Sequence, residues 1–263
     1  MIKALFTAAT GMQAQQILVD NTANNLANVN TTGFKRSQVE FQDLLYETRR
    51  TAGTQGATGS EVPTGIQLGS GTKVSGISKI FTPGTLENTG NELDLAIQGD
   101  GFFRIQIPSG EFRYTRDGSF RRNSSGQLVT ADGFLLTPPV NLPQDTISIT
   151  VGTDGTVSVV TGGAANVSTT VGNIQLSRFA NPAGLTAEGR NLFNQSTASG
   201  QPQQQNPGTG GMGTLQQGFL ERSNVEVVTE LVRLITAQRA FEVSSRAIRT
   251  SDSMLETSNA IVR

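Results

Sequence analysis

The chain opens and closes on apolar positions seven residues apart: Leu5, Met12, Val19 and Leu26 at the start, and Val227, Leu234, Phe241, Ile248, Leu255 and Val262 at the end. Such a repeat returns each side chain to one stripe of a helix after two turns, which is the pattern of a coiled-coil seam. It predicts one helix from about Ala4 to about Asn28 and a second from Ser223 to the last residues. At 1.5 Å per residue the second reaches roughly 55 Å. Its companion line, Ala237, Ser244, Ser251 and Ser258, is small, so a neighbouring helix can come close. Ser223 with Glu226 reads as a capping box at its start, and Glu242 with Arg246 as an i,i+4 pair. Gly11 lies inside the first helical pattern, at about 1 kcal/mol relative to Ala; such a glycine is tolerated where a neighbouring backbone approaches. Termini are usually the frayed parts of a domain, so seams placed there point to contacts with other chains.

Between the helices the period changes to two. Alternating or β-branched runs at Val74–Phe81, Leu93–Ile97, Phe102–Ile107, Phe112–Thr115, Ile147–Val151, Thr156–Val160 and Ile174–Phe179 predict short strands. Asp-Gly pairs at Asp100, Asp117, Asp132 and Asp154 punctuate them as hairpin turns, giving an antiparallel domain. Thr48–Gly71 and Ser199–Gly213 are rich in Gly, Thr, Gln and Pro and read as loops. The run Gly208-Thr209-Gly210-Gly211-Met212-Gly213 matches G-x-G-x-x-G, but a Pro/Gln-rich stretch precedes it where a dinucleotide site needs a strand, so it reads as linker. The fold class is α+β: long terminal helices packed as a coiled-coil-like domain, with a central antiparallel β domain.

Composition narrows the chemistry. Among 263 residues there is no Cys and no His, which removes disulfides, thiolate nucleophiles, imidazole bases and most transition-metal sites. No cofactor and no metal are expected. The aspartates of the turns lack the dense alternating acidic loop of a Ca²⁺ site. A formal charge of −1 suggests neither nucleic acid nor an anionic membrane as partner, and no apolar run approaches the length of a membrane span. Gln13, Gln15 and Gln16 interrupt the first segment before the apolar core of a cleavable signal forms, so no Sec-type signal peptide is expected. From Ala4 to Phe34 the only charged residue is Asp20, a composition suited to burial on more than one side. An enzyme remains an alternative: Glu92, Asp94, Asp100 and Glu111 are close enough in sequence to supply the two carboxylates of a peptidoglycan-cleaving glycosidase.

The run Ala23-Asn24-Asn25-Leu26-Ala27-Asn28-Val29-Asn30-Thr31-Thr32-Gly33-Phe34-Lys35 stops the first helix at its asparagines and turns the chain at Gly33, with Phe34 as anchor. It resembles the N-terminal signature of bacterial flagellar rod and hook proteins. Asn224-Val225-Glu226-Val227-Val228 and the Gln238-Arg239-Ala240-Phe241-Glu242 core resemble the C-terminal signature, with Ser244 where relatives usually carry Asn. Leu93 to Phe103, Tyr114 to Phe120 and Gly126 to Gly133 resemble the family's central domain, in the right order. The likeness implies a non-enzymatic subunit whose terminal helices polymerise helically, exported unfolded through the flagellum's own channel to the basal body in the periplasm. Its implied partners are further copies of itself, proximal rod and hook proteins, the surrounding P-ring and L-ring proteins, and the flagellar export apparatus. Within the family, the length and the segment Tyr46 to Leu68 look most like the distal rod branch. That branch's long hairpin, here marked by Tyr46, Pro63, Gly65 and Leu68, would keep the rod straight. Residues 1–30 with 223–263 would form the assembly domain, 31–72 with 208–222 a connecting region carrying the hairpin, and 73–207 the β domain. Proximal rod or hook-type proteins of the same family are the alternative.

Overall fold

The computed structural model describes residues 2–53, 63–162 and 168–261. The chain forms two compact units: Met1–Leu26, Ser37–Ser78 and Glu226–Arg263 make the first, Ala27–Arg36 and Lys79–Val225 the second. It passes between them after Leu26, Arg36, Ser78 and Val225.

The first unit holds both long helices, α1 (Ile2–Ala27) and, at the far end of the chain, α2 (Val227–Ile261). Between them run β1 (Ser37–Asp43), β2 (Glu47–Arg50), β3 (Ile66–Leu68) and β4 (Thr72–Lys79), with β1 beside β4 and β2 antiparallel to β3. The segment from Thr48 to Gly71, loop-like in composition, therefore includes a hairpin stem within the Tyr46 to Leu68 stretch where the resemblance implied one. Glu47 faces Leu68, Thr48 faces Gln67 and Arg50 faces Ile66. These strands escape sequence patterning because all seven of their residues are exposed, leaving no inward face to alternate with.

The antiparallel pattern of the second unit comes from β5 (Leu86–Asn88), β6 (Leu95–Gln98), β7 (Phe102–Gln106), β8 (Phe112–Thr115), β9 (Arg121–Arg122), β10 (Leu128–Val129), β11 (Leu135–Thr137), β12 (Thr146–Val151), β13 (Thr156–Thr161), β14 (Ser168–Asn173), β15 (Leu176–Arg178), β16 (Thr186–Gly189), β17 (Leu192–Asn194), β18 (Gln203–Gln205), β19 (Thr214–Gln217) and β20 (Phe219–Glu221). A large sheet runs β16-β17-β8-β7-β11-β10-β9, and β15 joins β7 to β18; β12, β13 and β14 form a separate meander. Strand β6 pairs with β19, and β5 with β20.

The core follows from period-two alternation on β7 and β13. Phe103 and Ile105 are fully buried, and Phe103 packs with Leu95, Phe120, Leu136 and Leu176, while Val157 and Val159 close the same cluster from the meander. On the opposite face of β7, Phe102 joins Tyr114, Phe179, Leu185 and Phe193 in a second cluster of edge-on rings. Edge-to-face aromatic pairs add stabilisation beyond the area they bury.

Two Asp-Gly pairs form hairpin turns as expected: Asp132 between β10 and β11, and Asp154 between β12 and β13, with Gly133 and Gly155 at positive φ. The other two do not. Asp100-Gly101 carries the chain from β6, which pairs with β19, to β7, which pairs with β8, β11 and β15. At Asp117-Gly118 the chain is pressed against another strand, since a Cβ on Gly118 would overlap the carbonyl oxygen of Leu95. The expected linker at Ser199–Gly213 is also structured. Gln203–Gln205 pairs with β15, and Met212 is buried in the larger core cluster. The glycine run makes the turn into β19, Gly213 N–H donating to Asp100 O at 2.7 Å, and no helix follows it.

Candidate assembly surface

Helix α1 ends where its asparagines begin to bond the backbone instead of continuing the helix. Asn25 is fully buried. Its side chain grips Ser37, donating from Nδ2 to the carbonyl at 2.9 Å and accepting from the amide at 2.9 Å, and it also donates to Glu230 Oε2 on α2 at 3.3 Å. Asn21 adds a second donor to the Ser37 carbonyl at 2.9 Å. Thirteen residues' worth of signature thus begins with an amide that ties α1, the start of β1 and α2 together within one unit.

The two helices run antiparallel. Asn25 meets Glu230, and a Cβ on Gly11 would lie 3.6 Å from Ser244 Oγ. Gly11 and Asn25 are as far apart along α1 as Glu230 and Ser244 along α2, so one register serves the whole contact. The buried positions on this line are small or polar: Ala14, Thr22 and Asn25 on α1, Glu230 and Ala237 on α2. The contact at Gly11 is ordinary van der Waals packing against a side chain, and it would accommodate a methyl group.

The rest of the signature lies in the second unit. Thr31 donates to Asn28 Oδ1 at 3.1 Å, and Asn30 Oδ1 accepts from Arg222 at 3.3 Å. Thr32 donates to Asp117 Oδ1 at 3.0 Å while its carbonyl accepts from Asn191 at 3.0 Å. Gly33 turns the chain with φ +67°, its N–H donating to Glu221 O at 2.8 Å; a Cβ there would lie 2.5 Å from the Asp117 amide nitrogen. Phe34 sits under the Lys79 ammonium, 4.9 Å from the ring centroid.

The next residue, Lys35, is wholly buried and paired with the wholly buried Glu221, whose other oxygen is 3.5 Å from the buried Arg116 guanidinium. Lys35 also donates to Thr82 O at 2.8 Å, Glu221 accepts from the Gly84 amide at 2.9 Å, and Arg116 donates to Gly99 O at 2.8 Å. Burial pushes the Lys35 ammonium below the ordinary lysine value, against the opposing pull of Glu221, and burial likewise lowers Arg116. A buried carboxylate is tolerable only with partners of this kind. The signature read as a helix stop and turn anchored by Phe34 is therefore also an electrostatic anchor, which no spacing of Lys35, Arg116 and Glu221 could have disclosed.

The predicted capping box is not formed. Helix α2 begins at Val227, so Ser223 lies ahead of it and accepts from the Val225 amide at 3.3 Å. Glu226 occupies the cap position, accepting from the Thr229 hydroxyl at 2.8 Å. The ion pair near the helix start is Glu230 with Arg233 at 2.8 Å; Glu242 and Arg246 share a surface groove but are not paired.

Of the seam residues, Leu5, Met12, Val19 and Leu26 are half-buried, as are Leu234, Ile248 and Leu255; Val227 and Phe241 are exposed, and Val262 lies outside the described residues. Gln238, Arg239 and Glu242 are exposed. A further stripe, Val228, Leu231, Val232 and Ile235, is exposed on α2. Its i, i+3, i+4, i+7 spacing was legible, but the seven-residue repeat beside it is longer and masks it. Among the described residues, the exposed large apolar side chains include Ile2, Phe6, Phe41, Leu45, Tyr46 and Ile77 besides those on α2, and only Phe112 and Ile147 belong to the second unit.

Tyr46, Pro63 and Leu68 are also exposed. A Cβ on Gly69 would lie 3.4 Å from the Tyr46 ring, and one on Gly65 would come within 2.7 Å of Arg50 O. Lys3 of α1 donates to Glu47 at 2.6 Å and to Leu68 O at 3.3 Å, so it holds both strands of the stem. Residues 54–62, the remainder of the segment expected to brace the rod, lie outside the described residues.

Three of the four acids considered for catalysis have separate tasks. Asp94 accepts from Thr89 at 2.6 Å and Asn91 at 3.1 Å, Glu92 accepts from the Ile149 amide at 3.0 Å, and Glu111 pairs with Arg113 at 2.8 Å. Among the described residues, no group of three or more acidic side chains is placed to hold a metal ion, and no helix is long and apolar enough to cross a membrane.

Three family models match in the order of the motifs: the flagella basal body rod protein model over residues 5–35, the flagellar hook protein FlgE/F/G D1 domain over 96–159, and the flagellar basal body rod FlgEFG protein C-terminal model over 216–261. The flagellar basal-body rod protein FlgG of Borreliella burgdorferi is 48% identical over the full length of both chains. The chain belongs to the flagellar basal-body rod protein family. The FlgG protein of Caulobacter vibrioides is likewise 48% identical, over 99% of both chains. The flagellar hook protein FlgE of Helicobacter pylori is 38% identical over 71% of this chain but over only 26% of its own length. The antiparallel helix pair and the buried Asn25 and Lys35 sites thus belong to regions matched by the rod-protein models at the two ends.

Proposed function

We propose that this protein is the structural subunit of the distal rod of the bacterial flagellum, polymerising helically through its terminal helices into a rigid hollow shaft that carries motor torque to the hook. The observation that carries this reading is that, among the described residues, all the exposed large apolar side chains but Phe112 and Ile147 belong to the unit built from the two termini. Exposed apolar surface on that scale marks a protein interface, and interfaces that repeat head to tail without closing generate filaments.

In this reading residues 1–30 with 223–263 form the assembly domain, 31–72 with 208–222 the connecting region, and 73–207 the β domain. Leu5, Met12, Val19, Leu26, Val227, Leu234, Phe241, Ile248, Leu255 and Val262 contribute the seam to neighbouring copies. The Asn24, Asn25, Asn28, Asn30, Thr32, Gly33 and Phe34 turn fixes how the chain leaves α1, and Gln238, Arg239 and Glu242 present a polar face to the next subunit. Tyr46, Pro63, Gly65 and Leu68 belong to the bracing hairpin. The partners are self, proximal rod and hook proteins, the P-ring and L-ring proteins and the export apparatus; the location is the basal-body rod in the periplasm. We read the chain as non-enzymatic. Full-length likeness to rod proteins, against coverage of about a quarter of a hook protein, supports rod over hook.

Electron microscopy of basal bodies from a strain lacking this chain tests the assignment. The expected result is loss of the distal rod and hook; basal bodies with an intact rod would refute it.

A further inference from the structure

We propose that the second unit carries a binding site for a carboxylate, built around Arg104, and that its occupant is an aspartate or glutamate side chain of a partner polypeptide. This inference is independent of the rod assignment. Arg104 lies on β7 opposite Tyr114 of β8, while its neighbours Phe103 and Ile105 point into the core, so alternation sends the guanidinium to the other face. There it stacks on the Phe112 ring with Cζ 4.4 Å from the centroid. Stacking fixes the plane of the fork without using any of its N–H groups.

Those groups bond nothing among the described residues. The Nε of Arg104 is buried and has no hydrogen-bond partner, and the terminal nitrogens donate to no described residue. The nearby carboxylates are committed elsewhere: Arg113 Nη2 takes Glu111 at 2.8 Å and Arg113 Nε takes Glu188 at 2.6 Å. These bonds raise the Arg113 pKa, Glu188 contributing most, whereas burial lowers that of Arg104. Of these two arginines on neighbouring strands, Arg113 is held by two carboxylates and Arg104, among the described residues, by none.

The space in front of Arg104 is a groove of about 360 Å³, lined also by Phe112, Tyr114, Gln195 and Gln204. With Nε closed off from solvent, the two terminal nitrogens of the planar guanidinium present the fork that a carboxylate matches bidentately. Exposed Phe112 offers the apolar contact that the methylene stem of an acidic side chain requires, and the Gln amides supply further donors. The paired Glu111 on the rim disfavours a dianion such as phosphate.

The test titrates the full-length protein, labelled with ¹⁵N, with acetyl-Gly-Glu-Gly-amide while following the Nε–H resonance of Arg104. The Gln counterpart of that peptide, sodium chloride and inorganic phosphate serve as comparisons at constant ionic strength. A saturable shift with the Glu peptide that the Gln peptide does not produce, weakened about tenfold or more in Arg104→Gln, is the expected result. Equal shifts with the Gln peptide or chloride, a larger response to phosphate, or undiminished binding in the Arg104→Gln variant would each overturn it. The wild-type titration stands without the variant, and among the described residues Arg104 makes no hydrogen bond whose loss would unfold the chain.

Discussion

Two glycines in the N-terminal region separate a conformational requirement from a preference. Gly33 has a positive φ and no room for a Cβ beside the Asp117 backbone, so Gly33→Ala should destabilise the protein by about 2 kcal/mol or more in urea unfolding. Gly11 is helical and faces the flexible end of Ser244, so Gly11→Ala should leave stability unchanged or raise it by up to about 1 kcal/mol. If Gly11→Ala also blocks rod formation, the close approach at Gly11 is to a neighbouring subunit. Glu221 is a stronger case. Its removal leaves Lys35 without its carboxylate in a site with no water access, and Glu221→Ala should cost about 3–5 kcal/mol by the same measurement. Sequence reading identified the turn at Gly33 because glycine's freedom is local; it could not see the triad, whose members come from three distant segments.

Individual elements were legible in proportion to how completely one of their faces is buried. The runs that became β7 and β13 alternate in sequence because Phe103, Ile105, Val157 and Val159 point inward. Strand β18 is three glutamines, all exposed, and is a strand only because Leu176, Ser177 and Arg178 lie beside it. For α2 the sequence predicted the helix and its small companion line, Ala237 and Ser244, as the side of close approach, but not the apolar stripe that stays open. Glu230, Ala237 and Ser244 face α1, while Val228, Leu231, Val232 and Ile235 remain open. A double Val232→Asp, Ile235→Asp variant should therefore keep its stability within about 0.5 kcal/mol, as surface substitutions do, yet abolish swarming in motility agar. An unfolded variant would place the stripe in the core, and a motile one would remove it from the assembly surface. The hairpin belongs to the same scale. Deleting residues 48–65 should leave α1, α2 and the second unit folded and produce curved or flexible rods in electron micrographs; straight rods would contradict a bracing role.

At the level of the whole molecule, burial of cations sets a pH response. Lys35 and Lys79 both have pKa values lowered by burial from the ordinary 10.5. In the window below 10.5 the unfolded chain then binds more protons than the folded one, so unfolding free energy should rise with pH. Tyr114, raised by burial from 10.0, opposes this only above its ordinary value. Urea unfolding at constant ionic strength should show stability increasing from pH 8.5 to 10, with a smaller increase in Lys79→Met. A flat or falling wild-type curve would contradict the burial of these ammonium groups in solution.

Helical and strand periods, turn residues, and the absence of Cys and His are properties of short stretches or of composition. They sufficed for the α+β class, the extents of α1 and most core strands, and the likeness to rod and hook proteins. Which residues of α1 and α2 face each other, which Asp-Gly pairs close hairpins, and where Lys35, Arg116, Glu221 and Arg104 find or lack partners depend on side chains far apart in sequence. Their energies arise only once the intervening chain has folded and water has been excluded, so the tertiary structure alone decided them.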